Sequence, residues 1–133
     1  MSRCRILIVD DEAVALRVLR VGLERGGYQV DSAANGQQAL AAILEAPPDA
    51  LITDIEMPMM SGEELCARLQ KEVPERQFPI FVATSLTGLE HRDWSRQISN
   101  LHFLEKPLSV RKLLAVLNEF FARGSRTDKS QSA

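Results

Sequence analysis

No apolar run in this sequence reaches eighteen residues, so none of it reads as a membrane-spanning helix. Basic residues form no cluster. The 16 lysines and arginines are outnumbered by 18 acids for a formal net charge of −2, which leaves no basic field for nucleic acid. Only two cysteines occur, Cys4 and Cys66, without metal-ligand spacing. They read as reduced thiols of a cytoplasmic protein. His91 and His102 likewise show no ligand spacing and read as surface residues. The N-terminus lacks a positive region followed by an apolar stretch and a small-residue cleavage site, so no signal peptide is expected. No glycine-rich phosphate loop follows the first apolar run, which argues against a mononucleotide-binding flavodoxin relative.

What is present is an alternation of short apolar runs with helical patterns. At 133 residues the chain is long enough for one domain that buries about two thirds of its unfolded surface. Strands are predicted over 4–9, 28–33, 49–54, 79–84 and 101–105, and helices over 12–26, 36–45, 62–72, 88–99 and 109–122. The first, third and fourth strands are almost continuously apolar, as central strands covered on both faces must be; the second alternates and reads as an edge. Five βα units with crossovers of this length imply a doubly wound α/β fold with a parallel sheet. Gly26-Gly27 should end the first helix, Asn35-Gly36 marks a turn before the second, and Ser61 with Glu64 forms a capping box for the third. Residues 123–133 hold only small, polar and charged types and read as a disordered tail or the start of a linker after a domain spanning 1–122.

The chemistry lies at the ends of the strands. Asp10-Asp11 follow the first, Asp54 ends the third, Thr84 and then Ser85 end the fourth, and Lys106-Pro107 follow the fifth. Ligands of open α/β sheets bind at the carboxyl ends of their strands. Three carboxylates gathered there repel by several kcal/mol at an effective dielectric of roughly 20, so a cation must sit among them. Asp10, Asp11 and Asp54, with the backbone carbonyl of Glu56, offer the hard oxygen ligands that Mg²⁺ takes. One carboxylate could then attack a phosphoryl group, with Lys106 neutralising the transferred charge and the Thr84 hydroxyl bonding a phosphoryl oxygen.

With Met57-Pro58 and Gly62 after Asp54, these residues make the chain resemble the receiver domain of two-component response regulators, the CheY-like fold. The resemblance spans residues 4 to about 122. It implies a flavodoxin-like (βα)5 sheet of strand order 2-1-3-4-5. It assigns Asp54 as phosphoacceptor and Asp10, Asp11, Asp54 and the Glu56 carbonyl as ligands of Mg²⁺ (or Mn²⁺). It further implies that Lys106 and Thr84 bind the phosphoryl group, that Thr84 and Phe103 form the switch, and that the Lys106-Pro107 bond is cis. The donor it implies is a sensor histidine kinase or a phosphotransfer domain of a phosphorelay. The output partner or domain would be reached through the fourth helix, fifth strand and fifth helix, with room for a homodimer on activation. Its chemistry would be its own phosphorylation and dephosphorylation, not turnover of a separate substrate. The chain departs from the family in Ser85 and in an unusual fourth helix that carries Trp94 and lacks the Gly-Ala pair common before the fifth strand.

Two rivals come from other classes. A phosphorylation-independent adaptor would keep the fold and lose the switch. A phosphohydrolase would need a second acid two residues past the nucleophile, which Asp54-Ile55-Glu56 imitates, and a substrate cap, for which there is no insertion. In the first helix, Ala15, Leu16, Leu19 and Leu23 form the core stripe, while Val14, Val18 and Val21 lie on a second face. Valine gains nothing from exposure on a helix, so this face is predicted to dock the donor. Met57, Met59 and Met60 are predicted to pack rather than ligate metal. No output domain is expected within these residues, which fits either a stand-alone receiver or the first part of a longer regulator.

Overall fold

A computed structural model describes residues 4–57, 59–85 and 93–132, with side chains to residue 122. The chain runs β1 (Arg5–Val9), α1 (Ala13–Arg25), β2 (Gln29–Ala33), α2 (Gly36–Glu45), β3 (Ala50–Asp54), α3 (Gly62–Glu72), β4 (Ile80–Thr84), a 3₁₀ helix (Asp93–Gln97), β5 (Leu101–Glu105) and α4 (Val110–Ser132). All five strands are parallel and ordered β2-β1-β3-β4-β5. That is the expected order, with the alternating β2 at an edge.

Side-chain alternation along the strands divides the core in two. Leu7, Val9, Leu51, Ile80 and Val82 face α2 and α3, where they meet Leu40, Ile43, Leu65 and Leu69. Ile6, Ile8, Ile52 and Phe81 face α1 and α4 and meet Leu19, Leu23, Leu113 and Leu117. Every residue of β3 and β4 is buried. Strands this apolar are stable only between two helical layers.

The helix boundaries follow the punctuation. Gly26 ends α1, and Gly27 beyond it takes φ +100°, the left-handed conformation that glycine adopts freely. The Asn35 side chain accepts from the Gln38 N–H at 2.9 Å and caps α2. Ser61 and Glu64 form the predicted capping box of α3.

Three expectations are corrected. The helix predicted over 88–99 is, within the described residues, only the 3₁₀ helix Asp93–Gln97; residues 86–92, His91 among them, lie outside those described. The last helix does not stop at 122, since its backbone continues to Ser132. Met59 does not pack: it is 70 % exposed at φ +71°, whereas Met60 is buried and Met57 lies against the core. Among the described residues no helix is long and apolar enough to cross a membrane.

Candidate functional site

The sheet register carries the acids and the lysine to one place. The Asp10 N–H continues the β1–β2 ladder by donating to the Ala33 carbonyl at 3.2 Å. Asp54 stands opposite Ala83 on β4, and the Ile55 N–H donates to the Ala83 carbonyl at 3.2 Å. Thr84 stands opposite Glu105 on β5, and the Lys106 N–H donates to the Thr84 carbonyl at 2.9 Å. Each candidate is thus the last laddered residue of its strand or the one just after it. Parallel pairing then sets these ends side by side.

Asp10, Asp11 and Asp54 bring one carboxylate oxygen each to within 4.8 Å of one another. Asp54 is the buried member, 8 % exposed, while Asp11 is open to solvent. The Lys106 Nζ lies 2.7 Å from Asp54 Oδ1. The Glu56 N–H donates to the same oxygen at 3.3 Å, a donor that the sequence reading did not name. The Glu56 side chain faces solvent. Burial, with the charges of Asp54 and Asp11, pushes the Asp10 carboxyl above its usual range, although Asp10 accepts the Glu12 N–H at 3.0 Å. That last bond fixes the entry to α1, whose N-cap residue Glu12 makes no side-chain cap. A cavity lined by Asp10, Asp54, Ala83, Lys106 and Pro107 opens over this group, with Val18 of α1 at its rim.

The loop after β3 is pressed against the site by a glycine. The Gly62 N–H donates to the Ile55 carbonyl at 2.8 Å, and a Cβ at Gly62 would sit 2.4 Å from the Asp54 carbonyl oxygen. Only glycine lets α3 start this close to the end of β3.

Thr84 is 1 % exposed, and its hydroxyl donates to the Ser85 carbonyl at 3.2 Å. Phe103 is half-buried two residues before Glu105 and meets the Trp94 ring edge-on, 6.0 Å between centroids. The Lys106-Pro107 bond is cis. Val14, Val18 and Val21 are 75 %, 56 % and 42 % exposed, on the α1 face turned away from the core. Cys66 is buried, Cys4 is half-buried, and both are free thiols. His102 is exposed and stacks on Phe81, 5.2 Å between ring centroids.

A five-stranded parallel sheet of order 2-1-3-4-5, with acids at the ends of β1 and β3 and a lysine after β5, places the chain in the CheY-like class of α/β domains. The chain belongs to the response regulator receiver domain family, which matches residues 6–118. It is 33 % identical over 126 residues to the transcriptional regulatory protein ResD of Bacillus subtilis, covering 95 % of this chain and 51 % of that protein. It is 35 % identical over 118 residues to the phosphate regulon transcriptional regulatory protein PhoB of Pseudomonas aeruginosa, covering 89 % and 52 %. The chain therefore spans about half the length of the curated relatives it matches. Among solved structures, a CheY-like receiver domain protein from Methanospirillum hungatei superposes with TM-score 0.82 at 30 % identity, covering 95 % of this chain and 99 % of the other. Vibrio cholerae chemotaxis protein CheY4 superposes with TM-score 0.80 at 29 % identity, covering 89 % and 98 %.

Proposed function

We propose that this receiver takes a phosphoryl group onto Asp54 from a phosphohistidine of a sensor kinase or phosphotransfer protein and changes conformation in response. The single observation that supports this most is the Lys106 Nζ held 2.7 Å from the buried Asp54 carboxylate, inside a cluster of three acids. In the proposed step an Asp54 carboxylate oxygen attacks phosphorus. The bond from phosphorus to the donor nitrogen breaks, and the imidazole leaves with the electron pair. Lys106 follows the incoming charge, and the Glu56 N–H helps hold the attacking carboxylate in place.

The donor set suits a hard divalent cation. Asp10, Asp11 and Asp54, with the Glu56 carbonyl, would hold Mg²⁺ or Mn²⁺, and no soft nitrogen or sulfur ligand stands among them. Bound there, the ion would neutralise charge on the transferring group. Burial first, and then the neighbouring carboxylates, raise the Asp10 carboxyl, and a bound cation would favour its charged form against both.

The Thr84 hydroxyl and the Phe103 ring would form the switch, whose two conformations the added charge rebalances. Self-phosphorylation and hydrolysis of the acyl phosphate would be the domain's only chemistry. The donor would dock on Val14, Val18 and Val21, an exposed apolar face of α1 from which Val18 also lines the acidic cavity. Output would pass through the face formed by the 3₁₀ segment, β5 and α4, to a partner protein or to a domain following residues 1–122.

Incubation with acetyl phosphate and Mg²⁺, followed by intact mass, tests the reading. A gain of about 80 Da, one phosphoryl group, is expected in the wild type. It should vanish in Asp54→Asn and in the presence of a chelator. Absence of any adduct in the wild type, at any magnesium concentration, overturns it.

A further inference from the structure

We propose that Trp94 is a positioning residue: by resting on Phe103 it holds the resting arrangement and sets how readily the phosphoryl site switches. This inference rests on the reading of Asp54 as the phosphoacceptor.

Phe103 stands opposite Val82 on β4, and both belong to the core facing α2 and α3. Thr84 is two residues past Val82, so its side chain leaves the sheet on that same face. The proposed switch takes this arrangement as its resting one: the Thr84 hydroxyl is engaged with the Ser85 carbonyl, and Lys106 pairs with the Asp54 carboxylate. In that state the single tryptophan of the chain meets Phe103 at 6.0 Å with ring planes 76° apart. Edge-to-face geometry of this kind is the favoured aromatic pairing.

The segment that carries Trp94 is tethered at its C-terminal end. Arg76 donates to the Ser99 carbonyl and, at 2.5 Å, to the Phe78 carbonyl, while its guanidinium lies over the Phe78 ring. Its Nε is buried with no partner, so the side chain gives up a hydrogen bond to hold this position. Trp94 stands five residues before Ser99 in a short 3₁₀ helix, whose hydrogen bonds are poorer than those of an α-helix. A cavity of about 350 Å³ lies against the indole, lined by Ala67, Gln70 and Lys71 of α3 together with Gln97 and Ile98. The chain is pinned at Ser99, and the indole has open space beside it.

Any movement of the Phe103 ring must therefore break or drag its contact with Trp94. An aromatic pair of this geometry biases a two-state equilibrium by roughly two- to twelve-fold. By linkage the same factor appears in the affinity of the phosphoryl site for a ligand that selects the switched state. A purely structural tryptophan would change stability and leave that affinity alone.

The test uses the 133-residue protein with Mg²⁺ and beryllofluoride as the phosphoryl mimic. Binding is followed by amide chemical shifts in all variants and by Trp94 emission in the wild type. Emission is expected to change with the same midpoint as the amide shifts, and not at all in Asp54→Asn. Trp94→Ala should bind beryllofluoride about two- to twelve-fold more tightly, and Trp94→Phe should restore wild-type affinity. In a Phe103→Leu background, Trp94→Ala should have no further effect. Should Trp94→Ala fail to fold, Trp94→Leu removes the ring edge and keeps bulk. If the wild type binds beryllofluoride but affinity ignores Trp94, or if the Trp94→Ala effect survives in Phe103→Leu, this inference is overturned and the phosphoacceptor reading stands. A wild type whose amide spectrum does not respond to beryllofluoride overturns both.

Discussion

Gly62 gives the sharpest test of how the site is built, because its replacement should damage both the fold and the chemistry. A Cβ there would stand 2.4 Å from the Asp54 carbonyl oxygen, 2.9 Å from Ile55 Cα and 3.2 Å from the Asp54 carbonyl carbon. All three atoms are backbone, so no side chain can rotate away. Comfortable separation requires the start of α3 or the Asp54–Ile55 peptide to move by about 1 Å. Overpacking of this kind costs roughly 1–3 kcal/mol, against which alanine in a helix regains up to about 1 kcal/mol over glycine. For a domain of this size a net loss of up to about 3 kcal/mol should lower Tm by up to about 10 °C. The same shift should move the Asp54 carboxylate relative to Lys106 and the Glu56 N–H, and so lower the extent of phosphorylation by acetyl phosphate. Gly27→Ala is the control. Nothing lies within 4 Å of its Cβ, so only the φ of +100° opposes it. It should lose roughly 1–2 kcal/mol of stability and keep full phosphorylation. The assay pairs thermal unfolding by circular dichroism with intact-mass phosphorylation of the two variants. If Gly62→Ala melts and phosphorylates like the wild type, the close approach is not what positions Asp54.

Other outcomes follow from the same geometry. Because burial and neighbouring charge raise the Asp10 carboxyl, its favourable contribution is present below the unfolded pKa and is lost as pH rises through the folded value. Asp10→Asn should therefore raise Tm in chelator at neutral pH by a few degrees, with the gain shrinking toward about pH 4; equal shifts at both pH values would refute the crowding. Lys106→Met leaves the acids without their cation. It should destabilise the metal-free protein by about 1 kcal/mol, with the loss reduced on adding Mg²⁺, and a melt insensitive to both changes would contradict this. Replacing Val14 and Val21 together with serine should slow phosphotransfer from a protein donor about tenfold, a loss of about 1.4 kcal/mol, while acetyl phosphate still reacts normally. Equal slowing of both reactions would dismiss the docking face. Burial pushes the Cys66 thiol up to about 12, so a thiol reagent near pH 8 should reach it only as fast as the protein unfolds. Rapid release of two thiol equivalents from the folded protein would overturn that.

The parts of this molecule that were legible in sequence are those where one residue type has one physical use. Continuous apolar runs such as Ile6-Leu7-Ile8-Val9 and Ile80-Phe81-Val82-Ala83 can be stable only between two helical layers, so they announced β1 and β4 as inner strands. Polar residues directly after such runs had to emerge at the open end of the sheet. Asp10, Asp54 and Thr84 were therefore legible as strand-end residues, while Lys106 follows the mixed strand Leu101–Glu105. The capping pair Ser61 and Glu64 has a fixed spacing for the same reason that a helix leaves orphan N–H groups, and it too was read correctly.

The rest depended on contacts that no local pattern encodes. Met59 stands in a run of three methionines within four residues, and apolarity alone said that each would pack; the left-handed backbone at that position turns it outward instead. The region before β5 defeated the helical period. Trp94 and Ile98 have the i, i+4 spacing of one helix face, and both do pack on the core, yet the described backbone between them tightens to 3₁₀. Arg76 supplies the reason. Its guanidinium reaches from the loop after α3 to the carbonyls of Phe78 and Ser99, a partnership across 23 residues that fixes where the chain must turn into β5. Asn100 then takes φ +53°, which an α-helix running through residue 99 could accommodate only as its terminal residue. The helical period thus fails in the segment that touches Phe103. Local preference and tertiary demand part company there because the contacts of Arg76 with Ser99 and of Trp94 with Phe103 lie outside any local pattern.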